Sequence, residues 1–427
     1  MPDLAVAAGQ HTFEFQGSLK SGSLYSVSVK SQPGAPPQTC FLTHATGILE
    51  KADVTDVTVK CKPEGSFAAT GSLHEARIVS AIQRLPSGRI LVAGGLTGAN
   101  ADVPIASSEI FDPATGLWSV GGPLSEPRYG GCSAVLPNGE VLYTGGTQAR
   151  GVFSATAELY DEAKDTWTPT AIPMAQRRTG ATCTMLPSGK VLVAGGGIDD
   201  LLAAELYDPG TKSFTSTGSM HTGRWLHQAT LLDSGKVLVV GGCTDQTGPC
   251  VNTTASAELY DPATGTWTVA GSLPSAVVFF ALAQISVPVT GGGSARRVLV
   301  AGGCQSYPNG CANPGTQVAL YDPSADSWSV AASLPVARSD SVTPIVLSSG
   351  DVLLVNGGYY TGATGTVRYD VTDGVWATGP ETMIDHRAVE GGIIQLADGR
   401  WLVVGGAYRI GPNPPQLYWS GSEIFTE

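Results

Sequence analysis

The chain has 427 residues, of which 55 are glycine and only 14% are charged, and its formal net charge at pH 7 is −12. This composition favours short strands and tight turns over helices. The acidic charge and the absence of a basic cluster argue against nucleic-acid or anionic-membrane binding, and no apolar run is long enough to span a bilayer.

Residues 1–64 are predicted to form a small β module. Apolar alternation predicts strands at 13–15, 25–29 and 54–59, and Cys40 and Cys61 are spaced for one disulfide near strand ends. The module resembles the small immunoglobulin-like modules that precede repeats in bacterial surface proteins. It begins in mid-strand and Met1 starts no signal peptide, so we expect a fragment of a longer secreted chain.

Residues 65–427 contain a repeat. A glycine pair ends an apolar run seven times, at intervals of roughly fifty residues, which indicates a propeller or a solenoid array. The pairs are Gly94/Gly95, Gly145/Gly146, Gly195/Gly196, Gly241/Gly242, Gly302/Gly303, Gly357/Gly358 and Gly405/Gly406.

Other markers keep a fixed distance from the glycines. A hairpin turn such as Leu186-Pro187-Ser188-Gly189 precedes the second strand of each unit. A third strand ends in an aromatic residue and aspartate, and another aromatic follows seven residues after the first, as in Tyr160 and Trp167. Four short antiparallel strands per unit are typical of a propeller blade.

The glycine pair, Tyr-Asp-Pro and the spaced tryptophan resemble the kelch repeat. The resemblance covers residues 66–427 and implies a seven-bladed propeller similar to the central domain of galactose oxidase. The chain ends on a third strand at 422–427, and the segment 65–73 matches the missing fourth strand. We therefore predict an all-β fold in which this N-terminal strand completes the last blade and hides a sheet edge.

The other six cysteines bear on the cellular compartment. Cys243/Cys250 and Cys304/Cys311 have the same spacing after the glycine pairs of blades four and five, which predicts two loop-closing disulfides and an oxidising compartment. A four-thiolate metal site is the alternative. Cys132 and Cys183 fall four and five residues after Arg128 and Arg178, so they should point to opposite faces of equivalent strands, and we predict two buried free thiols.

An arginine precedes the innermost strand of six blades, at the end of the channel where the loops after the glycine pairs also emerge. Kelch domains that bind acidic peptides have arginines at similar positions, so the resemblance implies an anion-binding mouth. A repeated residue can instead be structural, with Glu158, Glu205, Glu258 and Glu423 as partners. The arginines are Arg77, Arg128, Arg178, Arg224, Arg338 and Arg387, and blade five has Val277 instead.

Residues that break the repeat are the better candidates for ligand specificity, because the scaffold does not require them. Exposed aromatic side chains beside a polar rim suit sugar or peptide binding. His227 and Glu390 are one candidate acid/base pair. The ligand candidates are Arg150, Trp225, His227, Tyr359, Tyr360, Tyr408 and Arg409, with Tyr129, Asp199, Asp200, Tyr418 and Trp419 also on this mouth.

We interpret the chain as a noncatalytic binding or adhesion module of the secreted, periplasmic or cell-surface class, with a protein or carbohydrate ligand and no cofactor or metal. A monomer is favoured. A copper-radical oxidase needs a cross-linked tyrosine and cysteine, a second tyrosine and two histidines, and no such set is spaced correctly here. The alternatives are a carbohydrate-active epimerase, lyase or oxidoreductase that uses the arginine-lined mouth, and a structural spacer in a larger surface protein.

Overall fold

The computed structural model describes residues 13–15, 20–21, 23–29, 38–44, 46–49, 54–98, 103–245, 250–289, 291–306, 311, 313–339, 343–355, 357, 365–380, 392–408 and 417–427. Within these ranges all regular elements are β-strands. No helical segment there has the length and apolar character needed to cross a membrane.

Seven four-stranded antiparallel sheets form the blades, and the first strands of blades seven, one, two, three and four contact one another in that order along a central channel. From the channel outwards, blade one contains the strands Ala81–Arg84, Ile90–Ala93, Ser108–Asp112 and Leu117–Gly121. Blade two contains Cys132–Val135, Val141–Thr144, Ala157–Asp161 and Thr166–Pro169. Blade three contains Thr182–Met185, Val191–Ala194, Ala204–Asp208 and Ser213–Ser216. Blade four contains Gln228–Leu231, Val237–Val240, Ala257–Asp261 and Thr266–Ala270. Blade five contains Ala281–Pro288, Ser294–Ala301, Val318–Asp322 and Ser327–Val330. Blade six contains Ile345–Val346, Val352–Val355, Thr366–Asp370 and Val375–Thr378. Blade seven contains Gly392–Gln395, Trp401–Val404, Ser422–Thr426 and Ser66–Ala69.

The core lies between neighbouring blades. Second strands such as Val191–Ala194 are apolar at every position and fully buried, because both faces of each sheet are covered by a neighbour. Leu142 and Leu159 of blade two, for example, pack in one cluster with Val191 and Val193 of blade three. The continuous apolar runs in the sequence are therefore strands buried on both faces.

The repeated aromatic residues form one cross-strand pair in each blade. Tyr160 lies opposite Trp167 in the register of blade two, with ring centroids 5.1 Å apart. Rings at this separation add to the stability gained from burial. The other pairs are Phe111/Trp118, Tyr207/Phe214, Tyr260/Trp267, Tyr321/Trp328, Tyr369/Trp376 and Phe425/Phe67.

The predicted ring closure is confirmed. Ser66–Ala69 pairs with Ser422–Thr426, so the outer strand of blade seven comes from the start of the propeller. Phe67 lies opposite Phe425 as the aromatic pair of this blade. The main-chain N–H of Leu73 also donates to the carbonyl of Ser420. The two ends of the propeller are therefore held in one sheet.

The residues before the propeller form two small antiparallel ribbons, Leu24–Ser26 with Thr46–Ile48 and Gln38–Thr43 with Thr58–Pro63. Cys40 and Cys61 lie opposite each other in the second ribbon and form a disulfide. Residues 13–15 are not in a strand, and the strand expected at 54–59 begins only at Thr58. The immunoglobulin-like character of residues 1–64 stays a prediction.

The second ribbon contacts blade six through a buried group of charges. Lys62 Nζ lies 2.9 Å from Asp351 and 2.7 Å from Asp370, and both carboxylates are fully buried. Arg368 donates to Asp351 at 2.8 Å and to the carbonyl of Pro63 at 2.7 Å. In all six other blades the position of Arg368 is leucine or isoleucine, so blade six departs from the repeat where the ribbon contacts it.

We expect Lys62→Ala to lower the free energy of unfolding by about 1–3 kcal/mol, because it leaves the buried carboxylate of Asp370 without its cation and Asp351 with Arg368 alone. Lys60→Ala is the matched control, since Lys60 is half-exposed and pairs with Asp373 at the surface. Urea unfolding of both variants measures the difference. Equal stabilities for the two variants would contradict this role of Lys62.

The effect of Lys62→Ala should also depend on pH. Burial raises the pKa of Asp370, but hydrogen bonds from Lys62 and from the main-chain N–H groups of Thr372 and Asp373 outweigh it and hold that pKa below its ordinary value of 3.8. A lowered carboxyl pKa adds stability above pH 3.8, and this is lost as the pH falls through the folded-state pKa. The stabilities of the wild type and the Lys62→Ala variant should therefore converge in acid.

Candidate functional site

One end of the channel collects the loops that differ most between blades. There, in blades one, two and four, the residue after the repeated arginine forms a β-bridge with the residue after the glycine pair of the same blade, as in Tyr129 with Thr147 and Trp225 with Cys243. We call this end the glycine-pair mouth. Two-stranded ribbons rise from it in blades one, two and seven: Leu96–Thr97 with Val103–Pro104, Thr147–Ala149 with Val152–Phe153, and Ala407–Tyr408 with Leu417–Tyr418.

The glycine pairs are needed because neighbouring blades approach each other there. Both Gly94 and Gly95 have positive φ, and the N–H of Gly95 donates to the carbonyl of Arg128 in the next blade at 2.8 Å. A Cβ on Gly95 would lie 2.0 Å from the carbonyl oxygen of Ile78. Only glycine allows both the backbone conformation and the contact.

The repeated arginines are held inside their own blades. Arg128 donates through Nε and Nη2 to Glu158 at 3.1 and 3.0 Å, and through Nη1 to the carbonyl of Gly145 at 2.9 Å. Arg77, Arg178 and Arg224 make equivalent contacts with Glu109, Glu205 and Glu258. Burial lowers the pKa of Arg77, Arg178 and Arg224, although their glutamates act in the opposite direction.

Blades five and six show how far the arginine and the glutamate depend on each other. Blade five has lost both, with Val277 and Ala319 in their places, and Gln317 donates to the carbonyl of Gly302 at 3.0 Å instead. Blade six keeps Arg338 but has Val367 at the glutamate position. Burial lowers the pKa of Arg338 to about 10. Blade five shows that the fold accepts an apolar pair at these two positions, and blade six shows that the arginine can be kept without the glutamate.

Five predicted ligand residues are therefore buried rather than displayed at the mouth. Arg77, Arg128, Arg178, Arg224 and Arg338 are each at most 2% exposed. This placement favours the structural interpretation of the arginine row over ligand contact. Arg387 of blade seven lies outside the described residues.

The residues that break the repeat have mixed positions. Arg150 is exposed at the tip of the blade-two ribbon, and Trp225 is half-buried. Tyr408 belongs to the blade-seven ribbon, but only its backbone is described. Tyr359, Tyr360 and Arg409 lie outside the described residues, as does Glu390, the predicted partner of His227.

His227 is a buried neutral histidine between blades three and four. Its Nε2 lies 3.0 Å from the hydroxyl of Thr182. Burial, assisted by the charges of Arg224 and Arg178, lowers its pKa to about 3. An imidazole in this environment does not hold a second proton near neutral pH, and its burial removes it from the ligand-facing surface.

The disulfides brace the mouth over blades four and five. Cys243–Cys250 and Cys304–Cys311 are both formed, and they pack with Val278 and Phe279 in one buried cluster. Trp225 and Leu226 lie against this cluster. Leu226 and Phe279 have positive φ at the position that is Gly130 or Gly180 in blades two and three. Two bulky residues thus adopt a strained backbone next to the mouth.

The prediction that Cys132 and Cys183 are free thiols is wrong, because they form a disulfide between blades two and three. The two side chains do point to opposite faces of equivalent strands. Neighbouring blades, however, stack with the front of one sheet on the back of the next. Opposite faces are therefore the faces that meet, and the two cysteines pack in the same cluster.

The described surface of the mouth contains a shallow notch between blades three and four. Its volume is about 420 Å³, and it is lined by Asp199, Asp200, Leu201, Leu202, His221, Thr222, Gly223 and Thr244. The two aspartates were predicted mouth residues, but His221 was not singled out. The sequence does carry a signal for it: His74 and His221 both stand three residues before a repeated arginine.

These blades define an all-β, seven-bladed kelch-type propeller. The Kelch motif family model matches residues 227–274, which fall in blade four. The chain is similar to the Kelch-like protein terF of Aspergillus terreus, with 30% identity over 137 residues. This match covers 30% of the chain and spans only 28% of the length of that relative.

The fold is also similar to that of a solved fungal alcohol oxidase of the AA5 family in complex with copper. The TM-score is 0.61 and the identity 17%, over 85% of this chain and 76% of the other. At this identity the likeness concerns the fold alone.

The chain's own residues do not fit a copper-radical site. The cross-linked cofactor needs a free cysteine, whereas all eight cysteines here are in disulfides. Among the described residues, no group of three or more histidine, cysteine, aspartate or glutamate side chains is arranged to hold a metal ion.

Proposed function

We propose that this chain is a noncatalytic, extracytoplasmic binding module that holds a protein ligand at the glycine-pair mouth. One observation carries the proposal. The arginines that recur at this mouth are buried, and most of them are ion-paired with a glutamate of the same blade. The exposed charged side chains of the mouth, in contrast, differ from blade to blade. Arg150, Arg177 and Asp199 are examples. Variable loops on a rigid scaffold are where binding residues concentrate.

The surroundings of these side chains support a binding role. Arg150 stands on a ribbon whose partner strand starts at Val152, and Arg177 pairs with Asp199 at 2.8 Å on the rim. Apolar contacts among Ile78, Leu96 and Ala407 support the rim over blades one and seven, and the two loop disulfides support it over blades four and five. Four disulfides favour an oxidising compartment.

The alternative of a carbohydrate-active enzyme depended on an arginine-lined mouth. Five of those guanidinium groups are buried, so this alternative has lost its main support. The notch between blades three and four is shallow, which suits contact with a protein surface better than enclosure of a small substrate.

Peptide and glycan arrays probed with the full chain test this function. We expect peptide hits whose affinity falls about tenfold, or about 1.4 kcal/mol, in an Arg150→Glu/Arg177→Ala variant. Arg400→Ala is the control, because Arg400 is half-exposed near the hairpin turn of blade seven at the other end of the channel. Hits confined to glycans, or unchanged in the mouth variant, would contradict the proposal. No hits on either array would favour the spacer interpretation.

A further inference from the structure

We propose that the contact of Leu226 and His227 in blade four with Gly180, Thr182 and Gly195 in blade three is an acid-sensitive joint beneath the glycine-pair mouth. The buried imidazole of His227 is the group that takes up the proton when the joint opens. The joint is a property of the fold, whereas its effect on ligand binding rests on the proposed function.

The closed joint has no partner for a protonated imidazole. His227 is 3% exposed, and its Nε2 lies 3.0 Å from the hydroxyl of Thr182. Its Nδ1 is buried and has no hydrogen-bond partner among the described residues. A histidine that carries both ring protons has two donors. A second proton therefore leaves Nδ1 as a buried donor without an acceptor, which is unfavourable.

The charges around the ring also oppose a second proton. Arg178 of blade three donates to the carbonyl of Gly195 at 2.7 Å, and a Cβ on Gly195 would lie 2.6 Å from the Cε1 atom of His227. Burial, and then the charges of Arg224 and Arg178, lower the pKa of His227 to about 3. The charged groups at this joint form two buried ion pairs, Arg178–Glu205 of blade three and Arg224–Glu258 of blade four.

The backbone next to the ring is in an unfavourable conformation. Leu226 has a φ of 53°, and its N–H donates to the carbonyl of Gly180 at 2.8 Å. The joint between blades two and three has Gly180 at the position of Leu226, and the N–H of Gly180 donates to Gly130 at 2.7 Å. A leucine in the left-handed region is strained, so the joint at Leu226 has a less stable backbone than its glycine-containing neighbour.

Blade five shows that the fold does not need a titratable ring at this position. Phe280 stands where blade four has His227, and it is 1% exposed. A Cβ on Gly241 would lie 3.0 Å from the Cε1 atom of Phe280, so this ring packs on the preceding blade as the His227 ring packs on Gly195. An apolar ring therefore fits the same space. Blades one to three have Ser80, Gly131 and Ala181 there.

Acid should open the joint because only the open form binds the proton. The pKa of His227 is about 3 in the closed joint and returns to its ordinary 6.5 when opening hydrates the ring. The closed form is therefore fully favoured above pH 6.5 and loses stability as the pH falls below that value. Between about pH 7.5 and about pH 5 the ratio of open to closed joint should rise about thirtyfold.

Hydrogen exchange at about pH 5 and about pH 7.5 measures this opening, after correction for the intrinsic pH dependence of amide exchange. We expect the N–H of Leu226 to lose protection about thirtyfold in the wild type, and the N–H of Gly180 in the neighbouring joint to lose far less. His227→Phe and His227→Gln should remove this acid sensitivity. His74→Gln, which removes an exposed histidine of blade one, should retain it.

Two results would overturn the proposal. One is an equal loss of protection at Leu226 in the wild type and in both His227 variants, because the imidazole would then not be the proton acceptor. The other is an equal loss at Leu226 and Gly180 in the wild type, because the acid sensitivity would then not belong to this joint.

Binding measurements separate this inference from the proposed function. Trp225 of the mouth directly precedes Leu226, so opening alters the surface that a ligand contacts, and array peptides should bind the wild type less tightly at about pH 5 than His227→Gln. If the joint opens in acid but no array peptide binds, the joint is supported and the proposed function is wrong. If array peptides bind the wild type and His227→Gln with the same pH dependence, the mouth binds a protein ligand and the joint does not regulate it.

Discussion

Replacing Arg128 with alanine should lower the free energy of unfolding by about 3–5 kcal/mol, the range for breaking a buried ion pair. The substitution leaves Glu158 fully buried without its guanidinium partner, and it removes the donor to the carbonyl of Gly145. Chemical unfolding followed by tryptophan fluorescence measures the loss.

Blade five supplies the control for this prediction. Its Val277 and Ala319 show that the fold accepts an apolar pair at these positions, so Arg128→Val combined with Glu158→Ala should recover much of the stability lost in Arg128→Ala. Glu158→Ala alone should be destabilising, because it leaves a buried cation. If Arg128→Ala is as stable as the wild type but loses a ligand, the arginine row is a binding site after all.

Removing the N-terminal closing strand should be the most damaging truncation of the chain. Deletion of residues 1–75 opens the edge of blade seven and exposes Phe425, which is now covered by Phe67. Deletion of residues 1–64 removes only the ribbons and the contacts of Lys62, so that chain should still fold. An open sheet edge pairs with other chains, and we expect the shorter protein to aggregate.

Size-exclusion chromatography and thermal unfolding distinguish these two truncations. Phe67→Ala in the full chain tests the same strand without a truncation. Loss of this buried ring should lower the free energy of unfolding by about 3–5 kcal/mol. Equal melting temperatures for the two truncations, or a neutral Phe67→Ala, would show that the ring does not depend on this strand.

The repeat made the fold predictable from the sequence. Each glycine pair, hairpin turn and aromatic pair marks one feature of a blade, and the match of residues 65–73 to a fourth strand revealed the closure. These features are local, or they recur at a fixed spacing. The seven repeats of one chain can therefore be compared with one another in the way that related sequences are compared.

The contacts between different units were harder to predict. The spacing of Cys132 and Cys183 gave the correct strand faces, but the conclusion also required knowing that the sheets stack front to back. Likewise, an arginine that recurs in six of the seven blades can line a channel or pair within its own blade, and the position of Glu158 relative to Arg128 distinguishes the two arrangements. Asp351 was not singled out, because its partner Lys62 lies 289 residues away.

The hydrogen bonds from the second glycine of one blade to the arginine position of the next have a kinetic consequence. They link blades one to six in order, and Gly406 donates to Arg77 at 2.9 Å, which joins blade seven back to blade one. A linear array of repeats can fray from a terminal unit. In a circle no blade is terminal, so losing one blade breaks two interfaces at once. Native-state hydrogen exchange should therefore show the second strands of all seven blades opening together.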